Sequence, residues 1–189
     1  MSRVYWVRHG PTHEKCFTGH RDVPADLSDA KAVARLAAYL PDEATVVASD
    51  LVRASATADA IAGARLRLSD ARALREFDFG DWDGLHWTEV SRRWPELCRS
   101  YWEAPGDLSP PNGESWNAAA ARVSGAIDLV LSTHGGPIVA VAHMGVILTQ
   151  VQRGLGVTAV EAMGHRIEPL SVTLVDYNAG AVPLINHMP

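Results

Sequence analysis

Apolar positions along this chain switch between short unbroken runs and runs spaced three and four apart. The two patterns predict alternating strands and helices. Val4–Val7 is an apolar run that stops at Gly10-Pro11 and reads as a buried strand. From Ser28 to Leu40, Ala32, Val33, Leu36, Ala37 and Leu40 share one helical face, with Ser28 as cap and Pro41 as stop. Thr45–Ala48 is a second short strand, and an alanine-rich helix follows Ser49-Asp50 to Ala62. Arg65–Leu68 reads as a third strand. From Ala71 to Gly113 the pattern lapses into tryptophan, proline and aspartate, with helical pieces near Thr88–Trp94 and Glu96–Glu103. Glu114–Ser132 is an amphipathic helix that ends at His134-Gly135-Gly136. Pro137–Ala142 has no polar residue, the pattern of a strand covered on both faces. Val146–Gly154 predicts a helix. Ser171–Tyr177 and Val182–Asn186 predict late strands at an antiparallel edge.

Strands alternating with helices imply an α/β fold, a three-layer α/β/α sandwich with a mostly parallel sheet. No internal repeat or low-complexity linker divides the chain, so residues 1–189 read as a single domain. Residues 71–113 read as a cap-like segment beside the site, because long irregular stretches in compact domains are usually functional. In open α/β sheets, ligands bind beyond the carboxyl ends of the strands. Three of the predicted strands end in reactive groups: Arg8-His9-Gly10, then Ser49-Asp50 with Arg53 one helical turn on, then His143-Met144-Gly145. If these strands are parallel, two imidazoles and two guanidiniums meet at one edge. That is a site for a dianion. The guanidinium fork matches phosphate oxygens, and helix N-termini add N–H donors. Two arginines buried together without an anion would be costly.

The length suits one well-cored domain. A net charge of −5 argues against a nucleic-acid partner, which would need a basic surface. Cys16 and Cys98 form no disulfide framework and have no metal-ligand spacing, so reduced thiols and a cytoplasmic setting are expected. The first residues lack a secretory apolar region, and no apolar run is long enough to span a bilayer, so no membrane partner is expected.

The ordered motifs carry a resemblance. Arg8-His9-Gly10-Pro11-Thr12 resembles the R-H-G-x-T signature of the histidine phosphatase superfamily, the phosphoglycerate mutase-like proteins. Gly19–Pro24 is close to the family's G-x-x-D-x-P, and Ser49–Ala58 to its S-D-L-x-R-A-x-x-T-A block. Leu74–Gly84 resembles L-R-E-x-x-F-G-x-W-E-G, Gly113-Glu114-Ser115 the G-E-S that opens a family helix, and Val141–Ile147 the V-x-H-G-G-V-I segment. The resemblance implies the phosphoglycerate mutase-like fold. It also implies His9 as nucleophile, Arg8 and Arg53 on the phosphoryl oxygens, and His143 as the second pocket histidine. Glu76 becomes the general acid and then the general base. The chemistry fits: a neutral imidazole can attack phosphorus in line and form a phospho-enzyme, and the leaving alkoxide needs a proton. Neither a metal nor a cofactor is required.

Several positions depart from the family pattern. Pro11 stands where members often carry an acid, and Lys15 where they carry Asn. Lys15 admits two readings, a point charge on the phosphate or a solvated loop residue. Thr12 and Thr18 are candidate phosphate or substrate contacts, Thr18 standing where many members place Gln or Ser. Met144 replaces Gly or Ser, and its side chain would shape the substrate pocket. His134-Gly135-Gly136 imitates the family's H-G-G, but it precedes a strand and so belongs to the opposite sheet edge. His13, His20 and His86 lack metal-ligand spacing and read as surface residues. Asp78, Asp81 and Asp83 fail the calcium-loop pattern. Trp82, Trp87, Trp94, Trp102 and Trp116 read either as cap packing or as a stacking platform.

The expected function is a phosphatase acting on a small-molecule phosphate monoester through phospho-His9. Its Leu74–Gly84 block looks like that of members acting on α-ribazole phosphate or on sugar and glycerate phosphates. The alternatives are a phosphomutase of the same fold and a non-catalytic phospho-ligand-binding module. Oligomeric state is not legible.

Overall fold

The structure, a computed structural model, describes residues 3–189. Its elements run β1 (Arg3–Arg8), α1 (Ala30–Tyr39), β2 (Thr45–Ala48), α2 (Val52–Ala62) and β3 (Leu66–Arg67). Then come α3 (Trp87–Arg93), α4 (Pro95–Glu103), α5 (Trp116–Thr133), β4 (Ile138–Ala142), α6 (Met144–Leu155), α7 (Ala159–Met163), β5 (Val172–Asp176) and β6 (Ala181–His187). Two short 3₁₀ turns, Arg72–Leu74 and Gly80–Trp82, lie between β3 and α3.

The strands form one sheet in the order β3-β2-β4-β1-β5-β6. β3, β2, β4 and β1 are mutually parallel, while β5 and β6 are antiparallel additions at one edge. This is the α/β/α sandwich that the alternation predicts. β4 sits centrally, and its side chains divide between two cores. Ile138, Ala140 and Ala142 pack with Val123 and Ile127 of α5 and Val146 and Ile147 of α6. Val139 and Val141 pack with Leu36 of α1 and Ala54, Ala58 and Ile61 of α2. A strand with helices on both faces has no water-facing side, so every position is apolar. Pro183 falls on the edge strand β6, where a missing N–H is tolerated.

Several boundaries differ from expectation for local reasons. Asp29, not Ser28, caps α1, accepting from the Ala32 amide at 3.0 Å, while Ser28 lies just before it with its amide donating to the Asp26 carboxylate at 2.9 Å. Ser115 caps α5, so the helix starts two residues later than Glu114. Helix α7 carries a capping box of Thr158 and Glu161, a T-x-x-E signal that the periodicity reading passed over because the helix is only five residues long.

Arg65 does not extend β3. Its guanidinium, 6% exposed, donates to the carbonyls of Ala37 and Leu40 at the end of α1 and of Ile61 at the end of α2. Neither helix has a basic residue in its last turn, so one side chain from outside neutralises both carboxyl-terminal dipoles. Arg65→Met should therefore cost about 3 kcal/mol and lower Tm by roughly 8 °C, readable by calorimetry. An unchanged Tm would show that water satisfies these carbonyls equally well.

Candidate active site

Parallel β1, β4 and β2 present their carboxyl ends on one edge, and the turns beyond them are locked in register. The His9 amide donates to the Ala142 carbonyl at 3.1 Å and the Ser49 amide to the Val141 carbonyl at 3.0 Å. Arg8 and His9 leave β1, His143 leaves β4, and Arg53 stands in the first turn of α2. The three predicted strand ends thus meet. Arg8, His9, Arg53, Glu76, Thr12, Lys15, Thr18 and Met144 line a single cavity of about 700 Å³. His143 lies fully buried behind them, its ring centroid 5.1 Å from that of His9.

Hydrogen bonds set the imidazole tautomers. A carbonyl only accepts, so His9 Nδ1–H donates to the Gly10 oxygen at 2.6 Å, and Nε2 keeps its lone pair. Burial pushes the His9 pKa down to about 3, and the charges of Arg53 and Arg8 act the same way. The ring is therefore neutral at pH 7. Arg53 Nε–H donates to His143 Nδ1 at 3.2 Å, which places the His143 proton on Nε2. Burial also lowers the His143 pKa well below the ordinary range, and His9 and both arginines add to the effect. His143 Nε2 and Arg8 Nε are buried donors with no partner among the described residues.

The arginines are held by backbone. Arg53, 1% exposed, donates from Nη1 to the Arg21 carbonyl at 2.8 Å and from Nη2 to the Gly19 carbonyl at 2.7 Å. Arg8 Nη1 donates to the Ile167 carbonyl at 2.5 Å. Neither arginine forms an ion pair with a carboxylate among the described residues. Burial lowers both guanidinium pKa values, against the opposing charge of Glu76, but arginine remains charged. Two desolvated cations with spare donors leave room for an anion.

Glu76 is buried beside them. Its carboxylate accepts from the Phe77 amide at 3.0 Å and from the Gly145 amide at 3.1 Å. A β-carbon on Gly145 would lie 2.7 Å from Glu76 Oε1, so only glycine lets α6 approach this closely. Arg122 of α5 braces the same segment, donating to the carbonyls of Ala73 and Arg75 and pairing with both oxygens of Glu114. Sequence reading passed over Arg122. Its signal is that no other charged residue stands between Trp116 and Ile127.

Other candidates resolve individually. Lys15 is exposed at the cavity mouth, and Thr18 spends its hydroxyl on the Cys16 carbonyl at 3.1 Å. Thr12 Oγ1 accepts from the Glu14 amide at 3.5 Å. His13 and His86 are surface residues, paired with Asp26 and capping α3 respectively. His20 is not simply a surface residue. Its Nε2 donates to the Glu76 carbonyl at 3.0 Å, because Asp83 clamps the Gly19 and Arg21 amides and folds that loop onto the site. His134 lies at the opposite edge, capping α5. Trp82 and Trp116 are core, whereas Trp87 and Trp102 are exposed at the cavity rim. No group of three or more His, Cys, Asp or Glu side chains gathers as a metal site among the described residues, and none of their helices is long and apolar enough to cross a membrane.

The buried histidines have a consequence for stability. An unfolded His9 takes a proton near pH 6.5, while the folded one resists until about pH 3. The unfolded state thus binds more protons between these limits, and stability falls as pH drops through that window. We expect the urea midpoint to decline steadily from pH 7 to pH 4, with His9→Gln flattening the slope. Identical slopes for the two proteins would remove His9 as the source.

A neutral imidazole, two guanidiniums and a buried carboxyl thus face one cavity, an arrangement suited to an anionic ligand. The histidine phosphatase superfamily (branch 1) matches residues 4–187, and the chain belongs to that family. It is 34% identical over 162 residues to phosphoglycerate mutase-like protein 4 of Arabidopsis thaliana, covering 80% of this chain and 70% of that one. It is 29% identical over 188 residues to the adenosylcobalamin/alpha-ribazole phosphatase of Escherichia coli, covering 93% and 90%. The crystal structure of the alpha-ribazole phosphatase from Shigella flexneri superposes with a TM-score of 0.82 at 25% identity, covering 99% of this chain and 96% of that one. The chain spans 54% of the length of the mycobacterial relatives it also matches. Family and relatives support a phosphoryl-transfer reaction of the phosphatase or mutase type.

Proposed function

We propose that the protein is a phosphatase that hydrolyses a small phosphate monoester through a phosphohistidine on His9. The observation that carries the reading is the His9 tautomer, whose Nδ1–H is occupied by the Gly10 carbonyl so that Nε2 is free to attack. Arg8, Arg53 and His143 Nε2–H stabilise the equatorial oxygens as charge shifts in the transition state. As the bond from His9 Nε2 to phosphorus forms, the bond to the alcohol oxygen breaks, and Glu76 gives that oxygen its proton. Glu76 then takes a proton from water, which attacks phosphorus, breaks the phosphorus–nitrogen bond and releases phosphate. Residues 71–113 serve as the cap, supplying Glu76 and part of the cavity wall.

A mutase reading draws support from the relative named as phosphoglycerate mutase-like. Hydrolysis is favoured by the phosphatase relative, which aligns over nearly the full length of both chains. The test is phosphate release from a panel of metabolite monoesters in chelator-treated buffer, with His9→Ala as blank. Release by the wild type alone supports hydrolysis. Isomerisation without release, stimulated by a bisphosphate, overturns it.

A further inference from the structure

Away from the phosphoryl corner the cavity changes character. Its walls there include Phe17, Phe79, Trp87, Trp102, Trp116 and Met144. Phe17 and Trp102 lie nearly parallel, 17° apart with centroids 6.2 Å from one another, and Phe79 meets Phe17 edge-on at 5.0 Å. The result is a continuous aromatic wall. Trp87 is 61% exposed, Met144 43% and Trp102 42%. Large apolar side chains left open together at the mouth of a polar site mark a surface that a ligand covers.

The charges on this wall are sparse. Arg8 and Arg53 are the only guanidiniums that line the cavity among the described residues, and both stand at the phosphoryl corner. Lys15 is exposed beside Glu14, which pairs with Arg21 at 3.4 Å, and His165 is half-buried. A carboxylate or second phosphate on the leaving group would be desolvated against aromatic faces with one exposed ammonium to meet it. Burying an ion without a close, hydrogen-bonded partner is strongly unfavourable. An aromatic ring would instead bury its face and edges against Trp102 and Phe17.

We propose that the leaving group is an uncharged alcohol with an aromatic or similarly flat apolar body, and that Trp87 and Trp102 select it over glycerate-type acids. This rests on the phosphoryl-binding reading of the His9 corner, but not on hydrolysis as the outcome.

The test separates binding from turnover. Titration calorimetry on the wild type compares benzylphosphonate with 3-phosphonopropionate, neither of which can be hydrolysed. Benzylphosphonate should bind at least about tenfold more tightly, and Trp102→Ala should bring the two Kd values within about threefold. Because Trp102 is exposed, that variant should keep its fold; Trp87→Ala provides an independent second probe with the same expected direction. Equal binding, or tighter binding of 3-phosphonopropionate, overturns the proposal. Binding of neither overturns it together with the phosphoryl corner. Phosphate release from benzyl phosphate is assayed separately. Selective binding without release upholds the aromatic preference and overturns the phosphatase reading alone.

Discussion

A His9→Ala protein is expected to release phosphate at least about 10⁴-fold more slowly than the wild type, with its fold retained. The size follows from the loss of a whole reaction path. Without Nε2 there is no covalent acceptor, and water must attack the monoester directly in a site arranged around an imidazole. Arg8, Arg53 and His143 would still polarise the phosphoryl group, so a residue of activity survives. Acid-quenched wild type exposed to a labelled monoester should carry acid-labile phosphohistidine, and the variant none. Turnover of the variant within a few fold of wild type would remove His9 from the nucleophile's role.

Arg53→Lys should lower kcat/KM by roughly 10²–10³ and stability by about 2 kcal/mol. The charge survives, so a purely coulombic role would show a small effect. The fork does not survive, and it makes the bonds to His143 Nδ1 and to the Gly19 and Arg21 carbonyls. Losing the first frees the His143 ring to change tautomer, and losing the others loosens the loop that carries His20. Steady-state kinetics and thermal unfolding check the two parts. Activity near wild type would mean that Arg53 acts as a charge alone.

The main strands and helices were legible because their apolar period is strong, as in the unbroken run of β4 and the one-sided face of α1. Position at strand ends, joined to the order of motifs from Arg8 to Ile147, marked Arg8, His9, Arg53, Glu76 and His143 as candidates together, and the fold gathers them at one cavity. Long-range polar contacts were not legible. The bond of His20 to the Glu76 carbonyl spans 56 positions, and that of Arg65 to the end of α1 spans 25 to 28. No local pattern encodes such pairings. The exposed state of Trp87 and Trp102 was hidden for a related reason: a tryptophan at a rim and one in a core look alike until the neighbouring layers are placed.

By itself, then, the sequence determined the α/β class, the polar strand ends and the residue types at the cavity corner, because periodicity and strand termini are properties of neighbouring residues; the parallel pairing that brings those ends together came from the fold. The tertiary structure alone decided the protonation pattern of that corner. The Gly10 carbonyl orients His9, Arg53 orients His143, and burial keeps both rings neutral. Desolvation and hydrogen-bond direction depend on what packs around a group from distant parts of the chain, and only the folded protein brings those parts together.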